Sequence, residues 1–146
     1  MIGSIVRSVG AVILALVVAM IFATVVEVVS AIIYPFPPGA DTSNCEVIIA
    51  YQKELPAGGF LIAIVGWSLA AFASSWVATR LGASRHPAHG IGIGAILIGL
   101  AVVNMSVLAY PIYFWVSILL LLPAGSVFGM MLVRARPGLI LSTASE

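Results

Sequence analysis

Four long apolar stretches, separated by short polar segments, constrain the fold of this 146-residue chain more than any other feature. A helix needs about 20 apolar residues to cross the hydrocarbon core of a bilayer, and each stretch is about that long. Backbone polar groups inside a bilayer must be satisfied within the spanning segment, and the alternation typical of a membrane barrel is absent, so we expect helices. We predict one all-α membrane domain over residues 1–146, a four-transmembrane-helix bundle with spans at about 9–33, 57–79, 91–109 and 112–133.

Composition excludes the other broad classes of protein. Charged residues make up 8% of the chain and hydrophobic residues 62%, whereas about 25% of the residues of a soluble domain are charged. A soluble globule and a disordered chain are therefore excluded. The net charge of +1, without a basic patch, argues against a nucleic-acid partner. The partner that remains is the lipid bilayer.

Basic residues predict the orientation of the bundle. Of the six Lys and Arg residues, Lys53 alone would lie at one end of the spans, and all the others at the opposite end. Under the positive-inside rule the basic end is cytoplasmic. We therefore predict a multi-pass protein of the inner (plasma) membrane with both termini in the cytoplasm. The residues at the basic end are Arg7, Arg80, Arg85, Arg134 and Arg136.

The first span has one alternative interpretation, a cleaved signal peptide. Residues Val29-Ser30-Ala31 are of the kind found at a cleavage site. The apolar stretch from Val9 to Val26 is longer than the roughly 7–15 residues of the apolar part of a signal peptide. We therefore prefer an uncleaved span.

The segment between the first two spans predicts a proline-rich outer loop and a short interfacial helix. The prolines within residues 35–38 exclude a helix there. A polar residue at positions 41–43 is a suitable N-cap for a helix that ends near Glu54. The apolar residues within positions 47–55 share one helical face, so we expect this helix to lie on the membrane surface or over the mouth of the bundle.

Small residues at helical spacing predict how the spans pack. Helices in lipid associate through close packing of small side chains, and every span carries a stripe of them. Pro123 removes one backbone hydrogen bond of the fourth span and predicts a kink there, with a hinge as the alternative. The predicted packing residues are Ala19, Ala23, Gly66, Ala70, Ser74, Gly94, Gly99, Gly125 and Gly129.

Glu27 is the one ionisable residue well inside a span. A carboxylate is costly in lipid, so we expect it to face protein or water. No Lys or Arg lies inside a span to pair with it, so we expect a neutral carboxyl that donates a hydrogen bond to Asn104 or to a backbone carbonyl. The predicted intramembrane polar cluster consists of Glu27, Asn104, Ser30, Ser106 and Tyr110.

Catalytic and metal-binding constellations are not recognisable in the sequence. Cys45 is the single cysteine, which excludes an intramolecular disulfide and a CxxC pair but leaves a cross-link between two copies open. His86 and His89 lie in the inner loop without the further ligands that a metal site needs. Hydrolase motifs are absent. We therefore predict no catalytic residue, no metal and no cofactor, and we favour a function other than catalysis.

Landmark Gly, Pro and aromatic residues recur along most of the chain. The pattern consists of Val26-Glu27, Tyr34-Pro35-Phe36-Pro37-Pro38-Gly39-Ala40-Asp41, Tyr51, Leu55-Pro56, Trp67, Pro123-Ala124-Gly125 and Gly129. It resembles a set of small bacterial four-span integral membrane proteins, a family without an assigned activity. The resemblance implies the four-span fold and no particular reaction. Similar proteins often carry Gly-His in place of Ser30-Ala31, which argues against a catalytic pair with Glu27 here.

Two functions remain open, and they assign different roles to Glu27. In the first, the protein is a structural or accessory subunit that packs with itself, as a homo-oligomer, or with a larger membrane complex. Glu27 is then an interhelical clamp worth about 1–2 kcal/mol. In the alternative, the protein is a small oligomeric transporter or channel that uses Glu27 as a coupling group. A cavity that reaches Glu27 would favour transport, whereas a Glu27 sealed by side chains would favour the accessory function.

Overall fold

The computed structural model of the protein describes residues 2–134; Met1 and residues 135–146, which include Arg136, lie outside the described range. Within that range the chain forms five α-helices and one 3₁₀ turn, without strands. Four of the helices are long and apolar enough to cross a membrane, which confirms the predicted all-α, four-helix bundle. The helices are α1 (Ile2–Ile33), α2 (Cys45–Glu54), α3 (Ala57–Leu81), α4 (Ala88–Val107) and α5 (Ile112–Arg134), and the 3₁₀ turn is Ala83–Arg85.

The helix bounds differ from the predicted spans mainly in α1, which begins at Ile2 rather than near residue 9. Its first turns are fastened to the last residue of α3 and to the first turn of α4. Arg7 Nε donates a hydrogen bond to the carbonyl oxygen of Leu81 (2.8 Å), and the Ser8 hydroxyl contacts Nε2 of His89 (2.9 Å). With 1.5 Å per residue, α1 is about 48 Å long, which exceeds the roughly 30 Å of the hydrocarbon layer. Part of α1 therefore extends beyond that layer.

The two ends of the bundle differ in character. We call the end that holds residues 34–56 and 108–111 the loop end, and the end that holds residues 82–87 the arginine end. Short connections make the long helices alternate in direction, so both ends of the described chain lie at the arginine end. The same end holds Arg7, Arg80, Arg85 and Arg134.

α3 is the central helix, because it packs against α1, α4 and α5, whereas α1 and α4 meet mainly near the arginine end, where Ala15 and Ile93 share a buried cluster. Its closest contact is with α5. A Cβ atom at Gly125 would lie 2.6 Å from the carbonyl oxygen of Ser68, and one at Gly129 would collide with the carbonyl oxygen of Phe72. Only glycine lets the two backbones approach this closely. α5 keeps the contact although Pro123 lies inside it, and the helix continues past the proline.

Most of the predicted packing residues lie in helix interfaces; the exceptions are Gly99 and Ala23, the second of which lines an open groove. Val26 of α1 packs against Gly66 of α3, and Gly94 of α4 lies against Ser126 of α5. Gly99 has open space where a Cβ atom would be, so it does not pack closely against any of residues 2–134 in the same copy. Because Gly94 and Gly99 are five residues apart, they lie about 140° apart around α4 and face different surroundings. Of the other predicted residues, Ala19, Ala70 and Ser74 are buried and Ala23 is half-buried.

α2 covers part of the loop end and is tied to the proline-rich loop. The Tyr51 hydroxyl donates a hydrogen bond to the carbonyl oxygen of Tyr34 (2.5 Å), and the Tyr51 ring stacks on Phe36 with centroids 4.1 Å apart. The N-cap is Asn44, whose side chain accepts a backbone N–H of the first turn. The prediction of a cap at residues 41–43 was wrong, because Asn44 is the residue that directly precedes the helix.

Candidate functional site

A groove lies between α1 and α4 and runs from the middle of the bundle toward the loop end. Both helices pack on α3 and meet each other at Ala15 and Ile93, but they separate toward the loop end, so a space with a volume of about 510 Å³ remains between them. The walls are apolar except near the loop end. The lining residues are Leu16, Ala19, Met20, Ala23 and Glu27 of α1, Trp67 and Ala70 of α3, Leu97, Leu100, Ala101 and Asn104 of α4, and Leu122 of α5.

Glu27 lies on the groove face of α1 because of its helical spacing. Residues 19, 23 and 27 are four apart, so they share a face, and all three line the groove. The preceding residue, Val26, packs against Gly66 and fixes α1 to α3 at this depth. Glu27 itself is exposed, and among residues 2–134 no group forms a hydrogen bond or an ion pair with its carboxyl. The carboxyl is therefore open to whatever occupies the groove.

Asn104 lines the groove from α4 and is held by Tyr110, in the hairpin between α4 and α5. The Tyr110 hydroxyl donates a hydrogen bond to Asn104 Oδ1 (3.0 Å). Burial raises the pKa of Tyr110, a hydrogen bond from Gln52 acts against this rise, and the nearby Glu27 carboxylate adds to it. The phenol therefore stays protonated at neutral pH and keeps its donor role. The side-chain N–H groups of Asn104 remain as donors at the groove.

An aromatic cluster supports the floor of the groove at the same end. Tyr110 stacks on Phe114 with centroids 4.4 Å apart, and Phe114 is fully buried. Trp67 packs edge to face against both rings, 5.6 Å from Phe114 and 6.3 Å from Tyr110. Phe60 lies 5.8 Å from Phe114 and completes the cluster. These contacts fix Trp67 and Tyr110 beside the groove.

Three residues of the predicted polar cluster, Ser30, Ser106 and Tyr110, do not line the groove, but Tyr110 is bonded to Asn104, which does. Ser30 is half-buried near the end of α1, where its carbonyl oxygen accepts the N–H of Tyr34 (2.7 Å). Ser106 is exposed, and its hydroxyl donates to the carbonyl oxygen of Val102 in its own helix (2.7 Å). Since Ser106 is two residues from Asn104, it lies about 200° away around α4. The cluster therefore reduces to Glu27, Asn104 and Tyr110.

Trp67 is the aromatic residue of the groove, and from the sequence it is named only as a landmark of the resemblance and not as part of the polar cluster. Its position depends on the packing of α3 against α5, which no local spacing of residues reveals. The only available signal was the small residue before it, Gly66, which brings α1 close to α3 at the depth of Trp67. The structure therefore adds an aromatic side chain to the predicted polar residues.

The histidines of the arginine end fasten α1 and do not form a ligand cluster. The ring of His89 contacts the carbonyl oxygen of His86 through Nδ1 (2.9 Å) and the Ser8 hydroxyl through Nε2 (2.9 Å). Over residues 2–134, no group of three or more His, Cys, Asp or Glu side chains is placed to hold a metal ion. Cys45 is exposed at the start of α2.

Comparisons with known proteins give no match, either to a family model, to a curated protein or to a solved structure. The resemblance to small bacterial four-span membrane proteins therefore stays a prediction. Any proposal about function depends on the geometry of the groove itself.

Proposed function

We propose that this protein is a small membrane carrier that works as an oligomer, binds its substrate in the groove between α1 and α4 and uses Glu27 to hold it. One observation carries the proposal. The carboxyl of Glu27 lies exposed at one end of an open groove instead of being enclosed between helices. An interhelical clamp would need a hydrogen-bond partner across an interface, and no such partner of Glu27 occurs within residues 2–134.

The dimensions and lining of the groove support a binding role. Small-molecule sites typically have volumes of about 300–1,000 Å³, apolar walls and a few polar groups that fix the orientation of the ligand. The groove has a volume of about 510 Å³, and its polar groups, Glu27 and Asn104, lie together near one end. A ligand would therefore bind in one orientation, with its polar group toward the loop end.

The membrane setting is part of the proposal. The four long helices support a multi-pass membrane protein. Basic residues cluster at one end of the bundle, which supports a protein of the inner membrane whose arginine end faces the cytoplasm. These residues are Arg7, Arg80, Arg85 and Arg134. Reporter fusions within α2 and after Arg134 test this arrangement. We expect reporter activity from opposite sides of the membrane, and activity from the same side would contradict it.

Residues 2–134 of one copy offer no complete polar path, which is why we propose an oligomer. Toward the middle of the bundle the groove is lined by apolar side chains such as Leu16, Met20 and Leu97. A charged group that leaves Glu27 in that direction would lose its only counter-charge. A second copy facing the groove, or a movement of α1 against α4, would provide the missing part of the path.

Transport assays in liposomes test the carrier function. A bare carboxylate in an apolar groove is costly, so we expect Glu27 to exchange a cationic substrate for a proton, one proton for each positive charge. Liposomes that contain the purified protein and a pH-sensitive dye are challenged with Na⁺, K⁺, tetraphenylphosphonium or a neutral sugar. We expect proton movement with at least one of the cations and none with the sugar.

Two variants make the assay specific for the groove. Glu27→Gln keeps the size of the side chain and removes its charge, so it should abolish the proton movement. Glu54→Gln removes a carboxylate from the end of α2, outside the groove, and should behave like the wild type. Equal proton movement by both variants, or none by the wild type, would contradict the proposal.

The accessory function remains a second candidate because of one face of α4. Gly92 and Gly99 are seven residues apart and therefore share a face, and both have open space where a Cβ atom would be. Such a face suits close contact with another transmembrane helix. Purification from native membranes in a mild detergent tests this candidate. A stable heteropartner that is lost in a Gly92→Leu/Gly99→Leu variant would favour the accessory function, and its absence would disfavour it.

A further inference from the structure

We infer that the ligand of the groove is an amphipathic organic cation, a molecule with one positively charged centre and an apolar body. This inference rests on the proposed binding role of the groove and names the class of its substrate. Three features of the groove carry it: the charge of Glu27, the position of Trp67 and the apolar wall below them.

Glu27 selects for a positive ligand, because its carboxyl pairs with a cation when it gives up its proton. In α1 the nearest basic residue along the chain is Arg7, about 30 Å away at 1.5 Å per residue, and it lies at the arginine end. Lys53 lies on α2, outside the groove. Among residues 2–134, no basic side chain lines the groove with Glu27. A positive charge for Glu27 therefore comes from the ligand.

The coordination available at Glu27 disfavours an inorganic cation. A metal ion that loses its water needs several oxygen ligands. The groove offers the carboxylate of Glu27 and the side-chain oxygen of Asn104, which already accepts a hydrogen bond from Tyr110. An ammonium or phosphonium ion surrounded by carbon does not need such a shell of oxygens, so it suits this site better.

Trp67 adds a second group that favours an organic cation. Among aromatic side chains, tryptophan binds cations best through its ring electrons, and the effect is strongest away from water. Trp67 lines the groove together with Glu27, and its contacts with Phe114 and Tyr110 hold it in place. A cation that enters the groove therefore meets both a carboxylate and an indole ring.

The apolar wall below Glu27 accommodates the body of the ligand. Ala19 and Ala23 leave width along α1, while Met20 and Leu100 provide apolar contact. Met20 and Leu100, which line the groove, are both exposed, so the groove opens between α1 and α4 toward the surface that lipid would cover. A molecule that dissolves in the bilayer can enter by this route. A strongly hydrated solute would have to shed its water first.

Binding of tetraphenylphosphonium to the full-length protein in lipid nanodiscs, measured by isothermal titration calorimetry, tests the inference. We expect saturable binding to the wild type that excess K⁺ and the neutral analogue triphenylphosphine oxide do not displace. Glu27→Gln should weaken binding about 30-fold or more, because one member of a charge pair is removed. Trp67→Phe should weaken it about three- to tenfold, since a weaker aromatic ring remains.

Controls separate loss of the site from loss of the fold. Glu54→Gln should bind like the wild type, and Glu27→Asp, which keeps the charge, should restore most of the affinity that Glu27→Gln loses. Each variant is checked for a monodisperse peak in size-exclusion chromatography. The competition experiment uses the wild type alone, so it stands even if a variant fails to fold.

The outcomes distinguish this inference from the proposed carrier function. If tetraphenylphosphonium does not bind, or if the neutral analogue displaces it equally well, the inferred substrate class is wrong. Glu27-dependent movement of Na⁺ or K⁺ in liposomes would then leave the carrier function intact. If tetraphenylphosphonium binds in a Glu27-dependent way but no cation drives proton movement, the substrate class stands and the carrier function fails.

Discussion

Two pairs of helices in this bundle use small residues with opposite results. α5 lies directly against the backbone of α3, where Gly125 and Gly129 face the carbonyl oxygens of that helix. α1 also presents small residues, Ala19 and Ala23, but across from them α4 stays apart and a groove remains. Small side chains therefore permit close packing without enforcing it. Whether two such helices pack closely depends on their other contacts. Here α1 and α4 both pack on α3, which holds them apart along the groove.

The largest expected effect on stability comes from adding a methyl group between α3 and α5. Gly129→Ala places a Cβ atom against the carbonyl oxygen of Phe72, so the two helices must separate. We expect a loss of about 3 kcal/mol in the free energy of unfolding, the upper part of the range for overpacked cores. Chemical unfolding in detergent, followed by circular dichroism, measures it. Gly99→Ala makes the same change in open space and should cost nothing; equal losses in both variants would refute the contrast.

The contact of α1 with α3 should be less sensitive. A Cβ atom at Gly66 would meet a side-chain methyl of Val26 rather than backbone, and the valine can give way in part. We expect Gly66→Ala to lower the free energy of unfolding by about 1–2 kcal/mol. Gly92→Ala, which adds the same methyl group where α4 faces open space, is the matched control. If Gly66→Ala lowers the free energy of unfolding more than Gly129→Ala does, the closest helix contact is that of α1 with α3, and the account is contradicted.

The hydrogen bond beside the groove should contribute less again. Tyr110→Phe removes the donor to Asn104 and the acceptor of the Gln52 hydrogen bond but keeps the stacked ring, so we expect a loss of about 1 kcal/mol in the free energy of unfolding. Tyr113→Phe is the control, because Tyr113 is exposed and its hydroxyl has no hydrogen-bond partner within residues 2–134. If both variants unfold at the same denaturant concentration, the bond to Asn104 does not fix this end of α4.

The smallest effect on stability is expected at Glu27. Because no described group bonds to its carboxyl, Glu27→Gln should change the free energy of unfolding by less than about 0.5 kcal/mol. An interhelical clamp would lose about 1–2 kcal/mol. The same unfolding experiment in detergent distinguishes the two cases, and a loss in the higher range would return Glu27 to the role of a structural clamp.

Features that depend on local pattern were predictable from the sequence. The four long helices follow from apolar length, and the short helix α2 follows from one apolar face after a proline-rich segment. The pairing of Asn104 with Tyr110 was also within reach, since the two residues belong to adjacent turns at one end of a span. Helical geometry alone could have removed Ser106, which lies about 200° from Asn104 around α4.

Features that depend on the choice of neighbouring helices were not predictable. The spacing of Ala19, Ala23 and Glu27 predicts a shared face but does not say whether that face meets another helix or a groove. The answer depends on α3 holding α1 and α4 on separate parts of its surface. For the same reason the sequence did not assign Trp67 to the site, and it did not separate the packed Gly94 from the exposed Gly99.

The openness of the groove underlies every functional proposal, and a matched pair of Ala→Leu substitutions measures it. Ala23 lines the groove, whereas Ala71 lies fully buried in the core. We predict that Ala23→Leu changes the free energy of unfolding by less than about 0.5 kcal/mol, while Ala71→Leu lowers it by about 1–3 kcal/mol through overpacking. If Ala23→Leu lowers the free energy of unfolding as much as Ala71→Leu does, α1 and α4 pack closely at this position. No groove would then be open beside Glu27.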